Sequence, residues 1–179
     1  MRPAPSRKHH WAVLVLVGVV AMNTWVSGLD VGVTGRQANM LAEVYKRNDA
    51  SLYANDAVFA DTGPTAPWRL HLPAWQRLLQ AALDWSRGEP LAALRILGAI
   101  TLLLYLLAMY LLLYRQTRST SAATFVAVMS MAVFSYRRAY WGAGPLFSVL
   151  PETLFLAAVP LLAQAFLRAR EKPALLLVF

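Results

Sequence analysis

The sequence predicts an all-α protein, in which a polytopic transmembrane helix bundle carries an amphipathic-helical first outer loop. Of its 179 residues, 58% are hydrophobic, whereas soluble domains contain roughly 45–50% apolar residues. The mean hydropathy is +0.46, and the apolar residues gather in runs that approach the length of a membrane span. The Lys and Arg residues behind the net charge of +8 form short tracts beside these runs, as in loops that orient a membrane protein.

That charge distribution and the residue types present exclude several classes of function. Cations beside apolar runs suit anionic lipid rather than a nucleic-acid surface, so no nucleic-acid partner is expected. The chain contains no cysteine, which excludes disulfides, thiolate catalysis and cysteine-ligated metals. His71 has no second histidine at metal-ligand spacing, so a zinc site is not expected.

A basic tail, 1–10, precedes the first predicted span, 11–29. At 1.5 Å per residue this run of about 19 residues measures about 28 Å, enough to cross the hydrocarbon core. Trp11 and Trp25 would lie at the two membrane interfaces. A cleaved signal peptide is the alternative, but the length of the run and the spans that follow favour an uncleaved anchor.

The outer (periplasmic) loop, 30–94, contains two stretches with helical periodicity and a connection rich in helix breakers. Apolar residues at helical spacing predict one amphipathic helix near Leu41 and another near Leu79. Between them lie four residues that disfavour helix: Gly63, Pro64, Pro67 and Pro73. The sequence therefore predicts two surface helices lying along the membrane.

Further spans are predicted at 95–114, 121–136 and 147–167. The second of these is short, so it is either re-entrant or relies on snorkelling flanks. The last apolar run, 174–179, is predicted to be the start of a truncated span in a chain that continues, with a buried C-terminal tail as the alternative. Basic tracts after 114 and after 167 match the basic N-terminal tail, so the N-terminus is predicted to be cytoplasmic.

Two groups of charged residues could carry chemistry on the outer side. Asp30, directly after the first span, could act as a general base or share a divalent cation with a phosphate-bearing substrate, or it could simply cap the next helix. Arg137 and Arg138 depart from the positive-inside trend and suit a phosphate, or they anchor lipid headgroups. Asp56 closes the string from Asp49, whose Asp, Ser and Asn residues are typical of turns.

That string, Asp49-Ala-Ser-Leu-Tyr-Ala-Asn-Asp56, resembles a segment of large bacterial polytopic proteins that look like members of the GT-C glycosyltransferase superfamily. In that group a span is followed by a helix, a D-P-S-L-Y/F-x-x-D turn and a further surface helix. Here Ala50 replaces the proline. A later Leu150-Pro-Glu-Thr-Leu-Phe stretch also fits, and the resemblance covers roughly residues 11–179 through short motifs.

The resemblance implies transfer of a sugar from a polyprenyl-phosphate donor at the outer face of the bacterial inner membrane. It also implies an acidic base or metal partner in the first outer loop, for which Asp30 is the candidate by position and Asp56 a weaker one. Arg137 and Arg138 would hold the donor phosphate. The chain departs from better-known enzymes at 35–37, where they often carry acidic residues. The alternative is a non-catalytic polytopic subunit or scaffold.

Overall fold

The computed structural model describes residues 7–27, 33, 35–61, 73–132 and 149–171, and within these ranges the chain is helix and turn without any strand. The all-α prediction is therefore confirmed for this part of the chain. The six helices are α1 (Arg7–Ser27), α2 (Gly35–Asn48), α3 (Pro73–Trp85), α4 (Pro90–Thr117), α5 (Thr120–Met129) and α6 (Pro151–Glu171). A short 3-10 turn, Ser130–Ala132, follows α5.

The described helices overlap the predicted segments, but their ends differ from the predicted spans: the predicted span 121–136 is an α-helix only as far as Met129, and a 3-10 turn follows it. The second predicted span, 95–114, lies within the longer α4, which begins five residues earlier at Pro90. Proline is favoured at the first helical position because its ring presets φ and its missing N–H needs no partner there. The last residues of the predicted outer loop therefore belong to α4, and α6 likewise begins at a proline, Pro151.

One hydrophobic core joins α1, α4 and α5. Its buried side chains are Ala12, Leu16, Val20, Leu102, Leu106, Tyr110, Ala123 and Ala127. His9 near the start of α1 bonds Tyr110 near the end of α4, with 2.6 Å between Nδ1 and Oη. At the opposite end of the pair, Trp25 of α1 and Arg95 of α4 line one cleft. The two helices are therefore antiparallel.

A second core lies at the beginning of α4, where α3 packs against α4 and α2 packs against α3. Its buried side chains are Met40, Leu41, Val44, Trp75, Leu79, Ala82, Leu83, Ala93, Leu94, Leu97, Val149 and Leu150. Each of α2 and α3 therefore buries one apolar face, as the sequence periodicity predicts. The start of α6 joins the same core through Leu154. We call α2, α3 and the turn between Asp49 and Asp61 the platform.

The turn from α3 into α4 fixes the platform on the long helix. The amide of Gly88 donates to the carbonyl of Leu83 at 2.8 Å, and the amide of Arg87 donates to the backbone carbonyl of Asp84 at 3.3 Å. This is the Schellman pattern, which satisfies the last carbonyls of a helix. Arg87 has φ 57° and Gly88 has φ 84°, so both residues adopt the left-handed conformation that glycine tolerates best.

Within the described ranges one helix, α4, is long and apolar enough to cross a membrane. Its most apolar window has a mean hydropathy of 2.5, and 39% of that window is buried inside the protein. The apolar parts of three other helices are shorter, at His9–Trp25, Thr120–Met129 and Thr153–Ala169. The structure is thus compatible with a membrane protein that has a transmembrane helix.

Candidate groove between two helices

The platform carries a groove between α2 and α3. Both helices bury apolar side chains in one core, among them Val44 and Leu79, which are almost fully buried. The open groove between the two helices measures about 410 Å³. Six of its eight lining residues have polar or charged side chains, and the full set is Val44, Arg47, Asn48, Gln76, Arg77, Gln80, Ala81 and Asp84. The groove therefore brings together residues that are distant in sequence, since the contact between Arg47 and Gln76 joins positions 29 residues apart.

A hydrogen-bonded chain connects two lining residues of the groove, Arg47 and Gln76, to the buried Glu43. Glu43 is 3% exposed and Gln76 is 7% exposed. The Gln76 amide nitrogen donates to a Glu43 carboxylate oxygen at 3.2 Å, and Arg47 donates to the Gln76 amide oxygen at 3.1 Å. Because both ends of the amide are engaged, the Gln76 side chain is held in one orientation. Burying the carboxylate is tolerable only because such donors replace water.

A second chain runs along the rim. Asn48 donates through its amide nitrogen to the Gln80 amide oxygen, and the Gln80 amide nitrogen donates to Asp84, both at 2.7 Å. These groups are exposed to solvent. With Arg77 on the same helix, the rim presents amide, carboxylate and guanidinium groups side by side.

This set of side chains can bind a hydroxyl-rich or anionic ligand. Guanidinium groups such as those of Arg47 and Arg77 donate in a planar fork that matches phosphate and carboxylate oxygens. Amides and a carboxylate can donate to and accept from sugar hydroxyls. The groove holds two cations on its lining against Asp84, so its charge favours an anionic group on the ligand.

The turn between Asp49 and Asp61 is held by its own carboxylates. Asp49 Oδ1 accepts from the Ser51 hydroxyl at 2.6 Å and from the Ser51 amide at 2.9 Å. These two bonds, the hydroxyl first, lower the pKa of Asp49 below its usual value. Asp56 Oδ1 accepts from the amides of Val58 at 2.8 Å and Phe59 at 3.2 Å. Both acids therefore act as turn-capping residues, which is one of the two interpretations of this string left open by the sequence.

Lys46 ties the same turn to α2, and sequence reasoning missed it. The side chain is 2% exposed, and its ammonium donates to the carbonyls of Ala50 at 2.7 Å and Leu52 at 2.6 Å. A lysine near a helix C-terminus is well placed for such bonds. Lys46 lies in the last turn of α2, and a lysine at that position is the sequence signal that could have predicted its bonds to the carbonyls of the turn.

The sequence-predicted site residues are only partly within the described ranges. Asp30, Arg137 and Arg138 lie outside them, as does the run 174–179. Asp56 is described and is exposed in the platform turn. Across the described part of the chain, no three His, Asp or Glu side chains come together to hold a metal. The divalent cation thus remains a prediction that depends on Asp30.

Comparison with known proteins assigns no relative. No family model, no curated protein and no solved structure matches the chain.

Proposed function

We propose that the chain belongs to a membrane glycosyltransferase of GT-C-like architecture, which uses a polyprenyl-phosphate-linked sugar donor at the outer face of a bacterial inner membrane. The observation that carries the proposal is the platform itself. An apolar helix, a surface helix, the Asp49–Asp56 turn and a second surface helix follow one another, which is the order that the resemblance implies. The surface helices also form a groove with hydroxyl- and anion-binding side chains.

The membrane part of the proposal is supported by apolar side chains that point outward. Five of them are Leu14, Met22, Phe125, Phe155 and Phe166, each more than 60% exposed. Exposed apolar surface on this scale marks a contact with lipid or protein. In a bilayer, α1 and α4 would cross in opposite directions, with the N-terminus cytoplasmic and the platform outside.

In this proposal the groove holds the polar part of a substrate beside the membrane. Arg47 and Arg77 would bind an anionic group, and Gln80 and Asp84 would bind sugar hydroxyls. Asp30 would act as base or metal partner at the end of the first span. Arg137 and Arg138 would bind the donor phosphate.

The test is sugar transfer by the full chain in membrane vesicles supplied with radiolabelled polyprenyl-phosphate sugars. Asp30→Asn should abolish transfer, and an Arg47→Ala, Arg77→Ala double variant should reduce it at least tenfold. Arg118→Ala is the matched control, because Arg118 is an exposed arginine at the far end of α4 and should leave transfer unchanged. Unchanged transfer in the Asp30→Asn protein would remove Asp30 from the mechanism, and no transfer by the unsubstituted full-length protein with any donor would contradict the proposal.

A non-catalytic subunit or scaffold is the second candidate. One feature of the groove favours the scaffold: the side chains of Gln76 and Gln80 already form hydrogen bonds with neighbouring side chains. A surface whose polar groups are ordered in advance suits docking of a partner protein. Purification in mild detergent separates the two candidates. Co-purified polyprenyl phosphate favours the enzyme, whereas a stoichiometric partner protein without that lipid favours the scaffold.

A further inference from the structure

A second cleft lies between α1 and α4, away from the groove of the platform. It measures about 570 Å³, within the range of roughly 300–1,000 Å³ that is common for small-molecule sites. The walls are mostly apolar and are formed by Val17, Val20, Ala21, Thr24, Trp25, Arg95 and Ala99. A cleft with this lining fits a hydrocarbon chain along its length and a charged group at the arginine.

The spacing of Arg95 and Arg115 along α4 matches the thickness of a bilayer. The residues between them carry no charge, and these 19 positions of α4 extend about 28 Å at 1.5 Å per residue. This is close to the thickness of the hydrocarbon core, about 30 Å. In a bilayer-crossing α4 the two arginines would therefore lie at the two membrane boundaries, where lipid phosphates occur. Arg95 is exposed, and so is Trp25, whose indole is typical of the membrane interface.

We propose that this cleft binds one anionic phospholipid of the bilayer, with its phosphate at Arg95 and an acyl chain along Val17, Val20 and Ala99. Charge complementarity at Arg95 and the apolar walls of the cleft support this occupant. The proposal requires α4 to lie in a bilayer, which is part of the proposed function, but it does not require sugar transfer.

The test is native mass spectrometry of the full chain in detergent with phosphatidylglycerol. The unsubstituted protein should retain one phosphatidylglycerol, and phosphatidylcholine, which has no net charge, should bind more weakly. Arg95→Gln should lower the affinity for phosphatidylglycerol about tenfold, since it removes a charge-assisted bond to the phosphate. Ala99→Leu should lower it by filling the cleft. Arg118→Gln should leave it unchanged as the matched control.

Three results would overturn the proposal. These are equal retention of phosphatidylglycerol by the Arg95→Gln and unsubstituted proteins, equal retention of the two phospholipids, and displacement of phosphatidylglycerol by an equal amount of polyprenyl phosphate. The last would assign the cleft to the sugar donor instead. Glycerol 3-phosphate should not bind, because the acyl chain is needed. Binding of this headgroup alone would contradict a role of the apolar cleft in holding the acyl chain. Sugar transfer is measured separately, so failure of lipid binding and failure of the proposed function are distinguishable.

Discussion

Replacing Lys46 with methionine should loosen the platform turn without unfolding α2. Methionine keeps a flexible, unbranched apolar side chain but lacks the ammonium. The substitution therefore removes the two bonds to the carbonyls of Ala50 and Leu52 while the buried position remains filled.

The size of the effect follows from the exposure of the two partners. A hydrogen bond to a charged group contributes about 1.5–3 kcal/mol. The two carbonyls belong to exposed residues, so water can donate to them and replace part of the hydrogen bonding that they lose. Removal of the ammonium also relieves the cost of burying a charge. We therefore expect the free energy that holds the turn closed to fall by about 2 kcal/mol, which corresponds to about a 30-fold change in an equilibrium constant.

Hydrogen exchange measures this directly. The amides of Asp56 and Ala60 donate within the turn, to the carbonyls of Tyr53 and Asp56, and both should exchange about 30-fold faster in Lys46→Met, while amides in the middle of α4 keep their rates. Arg77→Met is the control, because Arg77 is an exposed cation on α3 and should not alter the turn. Exchange that is unchanged or slower in Lys46→Met would refute the reasoning, since the cost of burying the charge would then outweigh the two bonds.

Three further predictions concern the packing, the backbone and the pH dependence of the platform. Leu79→Ala should lower the free energy of unfolding by about 3 kcal/mol because Leu79 is 1% exposed, whereas the exposed Leu78→Ala should change it by less than about 1 kcal/mol; denaturant titration of the detergent-solubilised protein compares them. Gly88→Ala should cost about 1 kcal/mol, because φ is 84° with no atom within 4 Å of an added Cβ, and a thermal melt that does not shift would contradict this backbone origin. Ser51→Ala should raise the pKa of Asp49 by removing its strongest bond, as NMR titration would show. Because the folded pKa is depressed, the stabilisation of the turn by Asp49 is present above the unfolded pKa and is lost as the pH falls through the folded pKa; a turn equally stable on both sides of that range would contradict this assignment.

The sequence predicts the helices of the platform well because their signal is local. The apolar spacing around Leu41 and around Leu79 indicates one buried face for each helix, and both faces are buried in the structure. The turn between Asp49 and Asp56 is also locally encoded, since each carboxylate bonds to amides two or three residues ahead. Helix ends are less predictable, as α4 shows by starting at Pro90.

The groove could not be predicted from the sequence. It requires α2 and α3 to pack side by side, and that pairing depends on a core shared with α4 and α6. Glu43 and Lys46 would be expected on a solvated face, since charged residues are rarely fully buried. Their burial becomes understandable only once Gln76 and the turn carbonyls are seen to bond to them.

The most direct test of the central claim is to find which side of the membrane the platform occupies. The chain contains no cysteine, so a single introduced cysteine reports which side of the membrane its position occupies. One variant is Ala54→Cys in the turn, and the other is Gln116→Cys at the far end of α4. Both positions are exposed. In intact cells, a membrane-impermeant maleimide should label the Ala54→Cys protein and should label the Gln116→Cys protein only after lysis. Labelling of both from the same side would contradict a bilayer-crossing α4 with the platform at the outer face.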